Sequence, residues 1–294
     1  MIYRVRHATT YVYTKPVDLA AQLMHLRPLL TPWQTILEEQ LHLEPSTGRL
    51  VDRVDHFGNR ITWLFFDQAH TKFEVVAESV VDVRAQPYPE PERTPPWETV
   101  RDAALVGGGA DWTASEFRFD SPRVGLLPAA RDYVAHSFLP GRPIMSALVD
   151  LNDRMFRDFK FKSGVTTIAT PIAQVLERRE GVCQDFTHLM LSGLRGMGLP
   201  ARYTSGYIRT RTAPGQIRRL GSDQSHAWVG GWLGPGNGWL GLDPTNGVLV
   251  AEEHVTLAVG RDFSDISPLR GMILGGGQHT LRVGVDLEPL EVAS

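Results

Sequence analysis

The chain carries one cysteine, Cys183, and its neighbours bear on whether that sulfur is inert or reactive. A lone cysteine is ordinarily a small buried hydrophobe. This one stands in Gly181-Val182-Cys183-Gln184-Asp185. Thr170-Pro171 opens a helical stretch that Gly181 closes, so a new helix can begin at Val182 with the thiol in its first turn. Unpaired N–H groups and the positive end of the macrodipole favour an anion there, and the thiolate is the nucleophilic form of cysteine. Asp185 suits the same helix start, and Gly181 would let a substrate come close.

A thiol that attacks a carbonyl needs a histidine to form the ion pair and protonate the leaving amine, and a third group to orient that imidazole. His226 and Asp243 are the best candidates. His226 opens the strand-like run His226-Ala227-Trp228-Val229-Gly230-Gly231-Trp232, and Asp243 ends Trp239-Leu240-Gly241-Leu242-Asp243. A hairpin through Gly234 to Gly238 would bring the two together, although a one-residue slip would put them on opposite faces. Of the 10 histidines, His188 is the nearest rival. It lies more than a helical turn beyond Cys183 and angularly off its side, which suits a structural part. Asp243 could also serve a turn before Pro244.

Cys183, Asp185 and His188 can be read as metal ligands, but no second Cys or His pair stands at zinc spacing, and no metal is expected. Gly275-Gly276-Gly277 lacks the Lys-Ser/Thr of a phosphate loop and reads as a flexible turn. No cofactor is expected.

These residues need a frame. The run from Tyr3 to Val83 has strand character, with Pro45-Ser46-Thr47-Gly48 and Asp55-His56-Phe57-Gly58-Asn59-Arg60 as two hairpin connections, so a β-rich, sandwich-like N-terminal domain is expected over residues 1–110. Its end is a proline-dense linker at about 86–110 that includes Gly107-Gly108-Gly109. From 111 to 294 the pattern turns helical and then to strands. Ile144, Leu148, Leu151 and Met155 mark one helix, and Phe186, Leu189, Met190, Gly193, Leu194 and Met197 mark the stripe of the helix that carries Cys183. The fold class is α+β.

At 294 residues, 42% hydrophobic and 21% charged, the chain can bury a substantial core. A net charge of −3 gives no broad positive field, so neither nucleic acid nor an anionic membrane is an expected partner. One cysteine allows no intrachain disulfide, and the opening residues hold no long apolar run; the expected compartment is the cytoplasm. Oligomeric state is left open.

Gly181-Val182-Cys183-Gln184-Asp185-Phe186, Gly198-Leu199-Pro200-Ala201-Arg202-Tyr203, His226-Ala227-Trp228 and Asp243-Pro244-Thr245 together resemble the bacterial transglutaminase-like superfamily. The likeness covers roughly residues 150–250, and Gly260-Arg261-Asp262 with the β-rich start resembles the longer bacterial subgroup. It implies a papain-like core, with the nucleophile at a helix N-terminus packed on an antiparallel sheet, and it implies Cys183, His226 and Asp243 as the triad. The chemistry implied is attack on an amide carbonyl, a thioester, and release of an amine. Water or a second amine then takes the acyl group.

The leading expectation is therefore hydrolysis of a peptide, isopeptide or side-chain amide bond in a peptide or protein substrate. Transfer to an amine is the first rival, and a non-catalytic peptide-binding module on the same fold is the second. The Cys183 N–H is expected in the oxyanion hole. Gln184 is a candidate contributor, and Tyr207, Trp228 and Trp239 are candidate cleft residues or core.

Overall fold

In a computed structural model of the protein, residues 1–46, 48–106, 112–209 and 224–290 are described. Its first strand, β1 (Ile2–Met24), buries Tyr3, Val5, His7 and Thr9 while Arg4 and Arg6 face solvent, the two-residue period of a half-covered strand. At 23 residues it is long, and both its edges are covered by antiparallel ribbons made in two pieces. On one edge run β4 (Arg60–Phe66), paired with Ala20–Met24, and β5 (His70–Val83), paired with Ile2–Val17. On the other run β13 (Leu269–Gly275) and β14 (His279–Leu290). β2 (Gln34–Glu44) and β3 (Arg49–Val54) pair in turn with β5 and β4.

The ribbons are interrupted at one common level, and the sheet curls there around Tyr13, Val17, Met24, Leu64, Phe66 and Phe73. Two turn expectations are corrected by this geometry. Pro45 to Gly48, of which Thr47 lies outside the described residues, joins no hairpin, because β2 and β3 pair with β5 and β4 and not with each other. Gly275, Gly276 and Gly277 take φ of 94°, 83° and 64°, backbone that favours glycine, yet they do not reverse the chain. Lys15 donates to the Gly276 carbonyl and Gly276 to that of Pro16, so they form a bulge in a continuing ribbon. Asp55 to Arg60 does close a hairpin, with Val54 opposite Arg60.

The remaining elements are α1 (Trp97–Val106), α2 (Trp112–Ser115), α3 (Pro128–Ala135), α4 (Ile144–Asp158), α5 (Ile172–Arg178) and α6 (Cys183–Gly196). Short strands β6 (Lys160–Phe161) and β7 (Glu180–Gly181) pair in parallel. The second sheet is antiparallel, in the order β11 (Val248–Leu249), β10 (Trp239–Asp243), β9 (Gln224–Trp232), β8 (Ala201–Ile208), β12 (His254–Gly260). On α4 the stripe Ile144, Leu148, Leu151, Met155 is buried as its spacing predicts. On α6 a Cβ at Gly193 would stand 2.7 Å from the Ala130 carbonyl oxygen, so glycine there sets how closely α6 approaches α3.

The division at residue 110 needs amending. The last two strands pair with β1, and Tyr3, Val5, Val83, Val285 and Leu287 share one core with α6 and β8 to β10. The proline-dense stretch is docked against the second sheet: Gln86 Nε2 donates to the Trp239 carbonyl and the Tyr88 hydroxyl to that of Val250, each at 3.3 Å. Gly107, Gly108 and Gly109 lie outside the described residues. Among the described residues no helix is long and apolar enough to cross a membrane.

Candidate active site

Cys183 is the first residue of α6, half-buried, with Val182 extended before it as N-cap. The carboxylate of Asp185 folds back on this start: its Oδ2 accepts the Val182 N–H at 2.8 Å and the Thr166 hydroxyl at 2.6 Å. A Cβ at Gly181 would lie 2.9 Å from that oxygen. The space that the sequence suggested for a substrate is taken by Asp185. The N–H groups of Asp185 and Phe186 go to the Val182 carbonyl, which leaves those of Cys183 and Gln184 at the head of the helix.

Across from this head stand His226 and Asp243. Leu242 is opposite Val229 in the β9–β10 register, so Asp243 falls on the same sheet face as His226, and His226 Nε2 meets Asp243 Oδ2 at 2.8 Å. Nδ1 is then the ring nitrogen left to face the Cys183 thiol. Burial alone would lower the pKa of His226. Its hydrogen bonds to Asp243 and Cys183, and their charges, outweigh burial and raise it to about 10. Asp243 is fully buried, which would raise its pKa, but the hydrogen bonds it accepts hold it well below the usual carboxylate range. Those donors include His226, the Asn246 side chain at 2.7 Å, and the Thr245 and Asn246 amides at 3.0 and 3.2 Å.

A further donor was not anticipated. His254 Nε2 stands 3.2 Å from Asp243 Oδ2, while its Nδ1 accepts the Ala251 N–H at 3.4 Å, so the proton points at the carboxylate. β12 and β10 are three strands apart in the sheet, which would separate them by about 14 Å if it were flat. The contact therefore requires the sheet to curl, with His226, Asp243 and His254 on its concave side and α6 packed behind. Asn246, in the turn that follows Asp243, could have been found from Asp243-Pro244-Thr245-Asn246 as a turn that folds back on its own carboxylate. His254 carried no such local signal.

The other expected residues scatter. Trp228 is buried on the concave side, its ring 6.1 Å from that of His226 and 5.3 Å from that of His254. Trp239 is on that side too, under the Arg202 guanidinium. Gln184 is half-buried in the first turn of α6. Tyr207 is not in the cleft: Gly206 is opposite His226, so Tyr207 points the other way, and its hydroxyl bonds His7 Nδ1 at 2.7 Å. His188 packs on Tyr203, and its Nε2 accepts the Phe263 N–H at 3.3 Å; burial lowers its pKa to about 4, so it is neutral and structural.

Residues 3–82 match the model of the bacterial transglutaminase-like N-terminal region, and residues 139–244 that of the transglutaminase-like superfamily. An uncharacterized protein of Mycobacterium tuberculosis is 38% identical over 98% of this chain and 93% of its own. The chain belongs to the transglutaminase-like superfamily. A solved structure of a proposed cysteine protease from Cytophaga hutchinsonii shares the fold, with a TM-score of 0.75 at 22% identity over all of this chain and 92% of that one. A local likeness, 36% over 72 residues, links 24% of this transglutaminase-like chain to 11% of a protein-glutamine gamma-glutamyltransferase of Pseudomonas aeruginosa. The mixed α and β architecture and the curled antiparallel sheet are those of the family.

Proposed function

We propose that the protein is a cysteine-nucleophile amidohydrolase that cleaves a peptide, isopeptide or side-chain amide bond through Cys183, His226 and Asp243. The observation that supports this reading is the relay itself: one imidazole interacts with the only thiol and bonds a buried carboxylate. The paired thiolate adds to the amide carbonyl, and the oxyanion is held at the head of α6 by the Cys183 N–H. His226 gives its proton to the nitrogen as the C–N bond breaks, which leaves a thioester and a free amine. Water then adds while His226 takes its proton, the C–S bond breaks, and a carboxylic acid departs. Asp243 keeps the imidazole in the required tautomer and balances its charge.

Peptides and proteins are the proposed substrates, and the absence of any possible intrachain disulfide supports a reducing compartment such as the cytoplasm. Iodoacetamide should label the enzyme at Cys183, and a peptide library should be cleaved by wild type and left intact by Cys183→Ala. Full cleavage by that variant sinks the proposal. The local likeness to a glutamyltransferase favours a second reading, transfer to an amine. Incorporation of a labelled primary amine into a glutamine-bearing protein would select it, and ammonia release without incorporation selects hydrolysis.

A further inference from the structure

The concave side of the second sheet does more than hold His226 and Asp243. Further along it lies a half-open cavity of about 510 Å³, lined on one side by residues 29–34. Gln34 pins that segment, donating from Nε2 to the carbonyls of Leu29 and Thr256 at 2.7 and 2.8 Å. Glycines on the strands make room for two of the side chains that line it. A Cβ at Gly230 would stand 2.9 Å from Arg202 Cγ, and one at Gly241 would stand 2.5 Å from Val250 Cβ.

Arg202 lies across this gap. Its guanidinium sits 4.4 Å from the Trp239 ring centre, and its Nε is out of solvent without a hydrogen-bond partner. Burial lowers its pKa to about 10, with the Tyr88 phenol opposing, so the side chain remains a cation at neutral pH. The described lining includes a second arginine, Arg84, which pairs with Asp82 at 3.6 Å, and no aspartate or glutamate. The walls are aromatic: Trp33, Trp228, Trp239 and Tyr88.

Arg202 is half-buried, and a guanidinium partly withdrawn from water with no counter-charge among the described residues is costly to hold unless something outside the chain supplies the charge. The planar fork of arginine matches a carboxylate with two parallel hydrogen bonds. We infer that this cavity is a binding site for an organic acid, with the carboxylate on Arg202 and an apolar body against the tryptophan walls. Cys183, His226 and Asp243 are not among its described lining residues, so the site is distinct from the position of the reacting carbonyl and does not depend on the catalytic reading of Cys183.

The test is a binding titration of the full chain without turnover, read by tryptophan fluorescence and calorimetry. The probes are benzoate, phenylacetate and hexanoate, with phenethylamine as the cation of matched size. Wild type should bind at least one of the acids saturably, with a Kd of about 1 mM or tighter, and should not bind the amine. Arg202→Met should weaken the acid at least about tenfold. Arg202→Lys, which keeps the charge and loses the fork, should bind with intermediate affinity. No binding by any acid, equal binding of the amine, or undiminished binding by a folded Arg202→Met protein overturns the inference; the acid-against-amine comparison needs no variant to fold. A hexapeptide with a free C-terminus that displaces the bound acid would make the carboxylate a substrate's own; failure to displace it would assign the site to a free small acid.

Discussion

The two faces of the second sheet are built from the same strands and hold opposite chemistry. On the side toward α6, Ala227, Val229, Leu240 and Leu242 are buried among apolar side chains. On the concave side, the alternate residues are His226, Trp228, Gly230, Gly241 and Asp243, which leave polar atoms, glycine gaps and a cavity. A period of two lets one strand assign every other residue to holding the fold and the rest to reacting or binding. A shift of one residue would exchange the two sets, so the apolar face also fixes the register that sets His226 beside Asp243.

That division can be broken from either side. The largest effect is expected from Asp243→Asn, which keeps the shape and removes the charge: turnover should fall by about 10³-fold or more, by the tautomer argument that applies to such relays, and the Tm should fall as well, because an amide cannot accept every bond that the carboxylate does. A small loss of rate, or an unfolded protein, would mean that Asp243 belongs to the packing. On the apolar face, Leu242→Ala should cost about 2–5 kcal/mol in a denaturant titration, as other buried leucines do, and leave the rate of Cys183 alkylation per folded molecule nearly unchanged. A labelling rate that falls in proportion would show the two faces to be coupled.

The smallest effect concerns acid. His188, between α6 and the apolar face, has a folded pKa of about 4, and His7 likewise, each lowered by burial. Their contribution to stability is complete above the unfolded value of 6.5 and is lost as pH falls from there toward about 4. The Tm should decline over that window, and His188→Gln should flatten part of the decline. Unchanged steepness would remove His188 from the account. His226 has the opposite sign: raised to about 10, it stabilises fully below 6.5 and loses that contribution as pH rises toward 10.

Local signals made part of this readable in advance. The head of α6 was legible from the acid three places past Val182, although the helix before it ends at Arg178 with Arg179 in left-handed backbone, and not at Gly181, which lies in β7. The pairing of His226 with Asp243 was legible as a hairpin, but its register was not, and the register decides which aromatic residues share the face: Tyr207 lost its place because Gly206, one residue earlier, is the one opposite His226. His254 reaches Asp243 only through the curl of the sheet, which no local pattern encodes. The bent ribbons were hidden for the same reason. Pro45 and the triple glycine look like reversals because the residues that make turns also make bulges, and the partner strands that distinguish the two lie far away in sequence.

The second edge of β1 has a consequence in time. Residues 2–13 find their partners at 279–290, so on a ribosome the first strand must wait for those distant residues to be made before that edge is covered. Pairings so distant in sequence form slowly, and an uncovered edge invites the wrong neighbour meanwhile. Synthesis halted before residue 269 should therefore yield a nascent chain that chaperones retain, even when α6 and both of its partner strands, β8 and β9, have already emerged.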